Sequence, residues 1–138
     1  MFDLALSSGT VKHATYKYRF HITSMPKRRS VARKIKRLLK QHRVAHVRGE
    51  YDRALGNAIR HGAYPVKVTI ALTASKCLIK VADAGKGFDY RKMIHKFKTG
   101  KRYWHNHGYG TKCLARNAHV RVNWDHHGSR ILLLYKVR

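Results

Sequence analysis

Acidic residues are scarce in this chain. Only six of its 138 residues are Asp or Glu, against 31 Lys and Arg, which gives a formal net charge of +25. The excess is spread along the whole chain and does not form a tail, so we expect binding to polyanions at low salt whatever the fold. A globular domain with a highly charged exterior, natural or engineered, is the other interpretation, because net charge reports on association and not on fold.

Cysteines and long apolar runs are also few. Cys77 and Cys113 form no CxxC motif and cannot supply a disulfide framework, so a reducing cytoplasm is the expected compartment. No apolar run approaches the ~20 residues of a membrane-spanning helix. The first ten residues lack the basic and apolar regions of a signal peptide. The sequence therefore predicts a cytoplasmic protein with no membrane association.

Length and apolar content predict one folded domain. Hydrophobic residues make up 43% of the chain, and a chain of this length can bury roughly two-thirds of its unfolded surface. No internal repeat, linker or low-complexity segment divides it. Residues 1–138 are therefore expected to form a single domain.

The spacing of apolar residues predicts the elements of that domain. Alternation predicts five strands, at 14–22, 66–72, 77–83, 119–124 and 129–137. Helical spacing predicts three helices, at about 24–41, 47–62 and 111–118. Strands and helices do not alternate singly, so we expect an α+β fold: a mixed, mostly antiparallel sheet with helices on one face.

The segment "LGNAIRHGAY" places polar side chains near the end of the second predicted helix. Arg53, Asn57 and His61 are separated by four residues each, so they share one face of that helix. One interpretation is a polar stripe on a solvated helix edge. The other is a ligand site at the end of the helix.

Two loops punctuated by glycine follow. Asp83 ends a predicted strand, and Gly85 and Gly87 after it would let the backbone approach a ligand closely. Gly108 and Gly110 stand immediately before a predicted helix, where free N–H groups and the helix dipole favour phosphate. Either loop alone is more often a simple turn. All three motifs in this order favour a nucleotide site.

These segments carry a family resemblance. "DRALGNAIRHGAY", "VADAGKGFD", "HGYGTKCLARNAHVRV" and "GSRILLLYK" resemble the motifs and the final strand of the GHKL (Bergerat-fold) ATPase superfamily. The branch that they resemble most closely is the bacterial anti-sigma-factor serine/threonine kinases. The resemblance runs from about Tyr16 to the C-terminus and implies a two-layer sandwich that binds ATP and Mg²⁺. It also implies a flexible lid at about 91–107, a sigma factor and an anti-anti-sigma protein as partners, and a tendency to form homodimers.

The resemblance assigns roles to residues by position. Asn57 would bind Mg²⁺ through its side-chain oxygen, and Asp83 would accept a hydrogen bond from the adenine amino group. Gly85 and Gly87 would leave room for the adenine and the ribose. The other residues that it assigns to nucleotide binding are Gly108, Gly110, Thr111, Lys112 and Ser129. The first four of these would face the phosphates, and the last stands near the adenine, where the family usually has a threonine.

Each assignment has a structural alternative, and one position departs from the family. Asn57 could serve as a helix-end hydrogen bonder and Asp83 as a turn residue. The family's kinases carry a glutamate four residues before the asparagine, as the general base. Here that residue is Arg53, which cannot accept a proton. Arg53 would instead add positive charge near the phosphates, so the sequence favours nucleotide binding with impaired catalysis.

Two nearby acids are poor substitutes for the missing base. Asp52 is rotated ~100° around the helix from position 53, so it should point away from the site. Glu50 lies two turns, roughly 10 Å, before Asn57. Five histidines and one cysteine of the second half match no zinc-binding spacing; they are His105, His107, His119, His126, His127 and Cys113. A different class of function also stays open: a non-enzymatic, strongly basic module on the same scaffold that binds nucleic acid or another polyanion.

Overall fold

The structure is a computed structural model that describes residues 14–61, 63–85, 119–124 and 130–138. In chain order its elements are β1 (Tyr16–Ile22), α1 (Met25–Gln41), α2 (Glu50–His61), β2 (Val66–Leu72), β3 (Lys76–Ala82), β4 (Arg121–Trp124) and β5 (Arg130–Lys136). The helix predicted at 111–118 and the lid predicted at 91–107 lie outside the described residues.

The described strands form one five-stranded sheet in the order β1-β2-β3-β5-β4. All four neighbouring pairs run antiparallel. The prediction of an α+β fold with an antiparallel sheet is therefore confirmed, and none of the described pairs is parallel. In the β2–β3 hairpin the hydroxyl oxygen of Thr73 accepts the backbone N–H of Ser75 at 3.3 Å and of Lys76 at 3.0 Å, which closes the turn.

Helix α1 forms where the sequence predicts it. Ser24 precedes the helix in an extended conformation, and Pro26 falls in the first turn, where a missing N–H costs nothing. Val31, Ile35 and Leu39 repeat at helical spacing and are buried. The remaining positions are mostly Lys and Arg. The helix is therefore fixed by its apolar face and not by paired charges along its surface.

Both helices contribute to the same apolar core, which lies on one face of the sheet. Leu55 and Ala58 of α2 join the buried face of α1 there. Alternate strand residues complete this core: Ile22, Val66, Val68, Ile70, Leu72, Cys77, Ile79, Val81, Ile131, Leu133 and Tyr135. Burial raises the pKa of the Cys77 thiol to about 12, so Cys77 stays a neutral apolar group. Leu78 and Leu132 form a small separate cluster on the opposite face.

A buried carboxylate joins the start of α2 to the last strand. Glu50 is 4% exposed and accepts hydrogen bonds from the Arg48 backbone N–H at 2.9 Å and from the Tyr135 hydroxyl at 3.0 Å. An acid in the first turn of a helix is also favoured by the helix dipole. Burial, together with the Glu50 charge and hydrogen bond, raises the pKa of Tyr135. Tyr135 therefore stays a neutral donor to this carboxylate.

Removing that donor should destabilise the fold. Tyr135→Phe leaves the Glu50 carboxylate with one hydrogen bond fewer in a buried position, so we expect a loss of ~1.5–3 kcal/mol in the free energy of unfolding. Urea denaturation followed by circular dichroism measures it. Tyr16→Phe is the matched control, because Tyr16 is 51% exposed. Equal stability of Tyr135→Phe and Tyr16→Phe would show that the hydrogen bond contributes nothing.

Candidate functional site

The end of α2 and the end of β3 meet at one edge of the sheet. The chain leaves α2 at His61 and enters β2 at Val66, while β3 runs antiparallel to β2 and places Ala82 opposite Lys67. The backbone N–H of Ala84 donates to the carbonyl oxygen of Ala63 at 3.0 Å. This bond joins the segment that follows α2 to the turn that follows Asp83. Two of the three predicted motifs are thus brought to the same edge.

The turn at Asp83 has a defined geometry. Asp83 is half-buried, and its Oδ1 accepts the backbone N–H of Gly85 at 2.7 Å. The bond matches the turn-residue interpretation of Asp83, in which the side chain bonds the backbone two residues on. An ionised carboxylate offers about four acceptor positions, so this bond alone does not use up its capacity. It does fix the orientation of the side chain.

Asn57 lies on the helix one turn before the same edge. Asn57 is half-buried. On the same helix, Leu55 and Ala58 are buried and Arg60 is exposed. His61, the last residue of α2, is four positions further on, ~6 Å along the helix axis. The Asn57 amide oxygen is a ligand type that Mg²⁺ accepts. The described residues therefore place one amide side chain, Asn57, and one carboxylate, Asp83, on the elements that meet at this edge.

The other residues predicted to bind nucleotide lie outside the described part of the chain. They are Gly87, Gly108, Gly110, Thr111, Lys112 and Ser129. The structure thus describes Asn57, Asp83 and Gly85 together with Arg53, which is exposed on α2.

Both acids in the first turn of α2 are engaged in other contacts. Asp52 Oδ1 lies 3.4 Å from Arg28 Nη2 on α1. Glu50 is held by Tyr135 and by its own helix start. At position 53, where the sequence resemblance predicts a general base, the chain carries an arginine, and both nearby acids are engaged elsewhere.

Sequence reasoning missed a basic groove between the two helices. The groove has a volume of about 520 Å³ and is lined by Arg28, Arg29, Ala32, Arg33 and Asp52. Gly56 of α2 allows Arg28 to lie close, because a Cβ at that glycine would be 3.2 Å from Arg28 Nη2. The signal was present in the sequence: Arg29 and Arg33 are four residues apart, so they share one face of α1.

Neither described helix is long and apolar enough to cross a bilayer. Among the residues that the structure describes, no group of three or more His, Cys, Asp or Glu side chains is placed to bind a metal ion. Of the histidines considered above, His119 is described, and its ring stacks on that of His46 with centroids 3.8 Å apart and planes 15° apart. The other four, with Cys113, lie outside the described ranges.

Comparison of the chain with protein-family models and with curated proteins found no match in either search.

We expect the stacked histidines to make the stability of the fold depend on pH. The charge of His119, followed by desolvation and by Arg138 and Arg48, lowers the pKa of His46 below 6.5. The unfolded chain therefore binds more protons than the folded one below that value, and stability falls as the pH drops from about 6.5 towards the folded pKa. His119→Gln removes the largest cause.

We expect His119→Gln to lose less thermal stability than the wild type between pH 7.5 and pH 5.5, as measured by Tm. His21→Gln is the control, because it removes one exposed histidine from β1. If wild type and His119→Gln lose the same number of degrees, the pair does not act on stability.

Proposed function

We propose that this chain is an ATP-binding regulator of the GHKL superfamily, in the branch that resembles the anti-sigma-factor serine/threonine kinases, with the two-layer sandwich of that family. The observation that supports it best is the edge at which the Asp83 turn and the end of α2 are joined by the bond from Ala84 to Ala63. A purine ligand at this edge would meet a carboxylate acceptor beside a glycine.

Asp83 would recognise the adenine. Its carboxylate accepts hydrogen bonds only, and the exocyclic amino group of adenine is a donor, so the pairing is complementary. The hydrogen bond from Gly85 holds the carboxylate in place before any ligand arrives. Gly85 and Gly87 lack side chains that would cover the ring. This is the adenine-binding half of the proposal.

Asn57 would hold Mg²⁺ through its amide oxygen. Magnesium prefers octahedral oxygen ligands and commonly takes only one or two from the protein, with phosphates and water supplying the rest. A single Asn57 ligand therefore fits that chemistry. When bound, the ion would neutralise part of the negative charge of the phosphates. By the family resemblance, Gly108, Gly110, Thr111 and Lys112 would contact the phosphates, Ser129 the adenine side, and residues 91–107 would form the lid.

Arg53 makes binding better supported than phosphoryl transfer. Its guanidinium stays protonated at every relevant pH and is a donor only, so it cannot take a proton from an attacking hydroxyl. It lies exposed one turn before Asn57, where its charge would favour a polyphosphate. The proposed activity is therefore nucleotide-dependent regulation by docking, with weak kinase activity at most.

The family resemblance also proposes the biological setting. The chain would act in the cytoplasm as a homodimer, with a sigma factor as the docked protein and an anti-anti-sigma protein as the serine substrate or antagonist. Binding of ATP and Mg²⁺ must be separated from binding through charge alone. A specific site should retain ATP affinity in ~0.5 M salt, whereas attachment through counterion release collapses there.

The first prediction from this proposal concerns Asp83. Asp83→Ala removes the acceptor for the adenine amino group, which should cost ~1.5–3 kcal/mol of binding free energy, or roughly 10- to 150-fold in Kd for ATP with Mg²⁺. Isothermal calorimetry in 0.5 M salt is the measurement. Asp52→Ala is the matched control, because it makes the same charge change at an exposed residue of α2 and should leave Kd within about threefold. ATP affinity that is equal in wild type and Asp83→Ala would contradict the nucleotide site.

The second prediction concerns the missing base. Arg53→Glu restores a carboxylate four residues before Asn57, and general-base catalysis is typically worth ~10²–10⁴ in rate, so we expect ATPase or serine-phosphorylation turnover to rise by at least ~10-fold. ATP binding should weaken at the same time, because a negative charge replaces a positive one near the phosphates. Turnover is measured at saturating ATP, with Arg37→Glu on α1 as the control of equal charge change. Brisk wild-type turnover that Arg53→Glu abolishes would place the base elsewhere.

A further inference from the structure

Helix α1 presents a stripe of cations on the side that faces away from the core. The helix contains no acid and eight Lys or Arg among its 17 residues. Seven of these side chains are exposed: Lys27, Arg29, Arg33, Lys34, Lys36, Arg37 and Lys40. The eighth, Arg28, is half-buried and reaches Asp52 of α2. The exposed cations of α1 have no acidic neighbour on their own helix.

Five of these side chains form one row, which we call the α1 stripe: Arg29, Arg33, Lys36, Arg37 and Lys40. Their positions are i, i+4, i+7, i+8 and i+11, and at 100° per residue they fall within an arc of ~100°. The buried face of the same helix, at Val31, Ile35 and Leu39, is centred on the opposite side. The sheet therefore holds the helix with the stripe turned to solvent.

The spacing of the α1 stripe fits a nucleic-acid backbone. The stripe covers 11 residue steps, ~16 Å along the helix axis, so its five charges lie ~4 Å apart on average. Phosphates along one strand of duplex DNA rise by ~3.4 Å each. The side chains are all long and cationic, which suits contacts to phosphate. The stripe contains no Asn, Gln, Asp or Glu, the residues that read adenine or cytosine.

Other occupants fit this surface less well. An amphipathic helix that binds a membrane surface inserts its apolar face, but here that face is buried against the sheet. A small anion needs donors that converge on one point, whereas the α1 stripe is linear. The groove beside it contains Arg29 and Arg33 of the stripe together with Arg28 and Asp52. Arg28 and Asp52 pair with each other, so the groove adds no net charge to the stripe.

We propose that the α1 stripe binds the phosphate backbone of nucleic acid without regard to sequence. The interaction does not depend on the proposed nucleotide site at Asp83 and Asn57, which lies on other elements. It assigns part of the chain's high net charge to contacts between α1 and phosphates. A regulator that docks to transcription proteins would by this surface also be held near nucleic acid.

The test is duplex binding by a variant in which the five stripe residues are replaced by glutamine. Glutamine is a good helix former, so α1 should persist, and circular dichroism checks it. With a 20-base-pair DNA duplex of arbitrary sequence, we expect at least ~100-fold weaker binding at 50 mM salt and a slope of log K against log salt that is smaller by about three to four. A second duplex of unrelated sequence should bind the wild type within about threefold.

A matched variant separates the stripe from net charge. Replacing Lys17, Arg19, Lys67, Arg130 and Lys136, five exposed cations of the sheet, by glutamine removes the same charge from another surface. This variant should lose less than ~10-fold in affinity. Equal losses in both variants, or a larger loss in the sheet variant, would overturn the proposal. Asp83→Ala should bind the duplex like the wild type, so a failed nucleotide site leaves this result intact.

Two further measurements use the unaltered chain. The duplex should protect Lys36 and Lys40 from reductive methylation more than it protects Lys17 and Lys67, and the reverse order would overturn the proposal even if the variants fail to fold. Polyglutamate and vesicles containing phosphatidylserine are the alternative polyanions. Binding of either one at 150 mM salt more tightly than the duplex would assign the surface to an acidic protein or to a membrane.

Discussion

Electrostatic repulsion is the constraint on which the rest of this structure depends. With 31 basic and six acidic residues, pairing of opposite charges cannot neutralise the surface. Stability must then come from apolar contact, and the cations must stay in water. Both conditions are met: the helices and one face of the sheet share a continuous apolar core, and the only charged side chain buried in the described residues is an acid, Glu50.

The same constraint explains why the elements could be predicted well from the sequence. Lys and Arg almost never occupy buried positions, so most of the apolar residues that alternate with cations in this chain mark the buried face. The alternation of Val66, Val68 and Ile70 with Lys67 and Thr69 predicts both the strand and its buried face. The spacing of Val31, Ile35 and Leu39 gives α1. The predicted bounds of β2 and of both helices accordingly agree with the structure to within a few residues.

Long-range contacts could not be predicted in this way. In the sheet, β5 lies between β3 and β4. The alternation of apolar residues does not predict this order, because it shows which face of each strand is buried and not which strands pair. Nor does it indicate that Glu50 meets Tyr135, 85 residues later in the chain. The sequence relates Glu50 only to Asn57, which lies on the same helix. Its actual contact depends on which strand lies beneath the start of α2, and only the sheet order decides that.

The acids that remain also bear on what the site can do. Each of the three described acids makes a contact that serves the fold: Glu50 with Tyr135, Asp52 with Arg28, and Asp83 with the Gly85 amide. Asp83 alone combines its contact with a position at the end of a strand, where a ligand could reach the carboxylate. The three described carboxylates all serve contacts that hold elements together, and the position four residues before Asn57 carries an arginine. For the proposed site, these described side chains therefore support the recognition of an anion better than they support the removal of a proton.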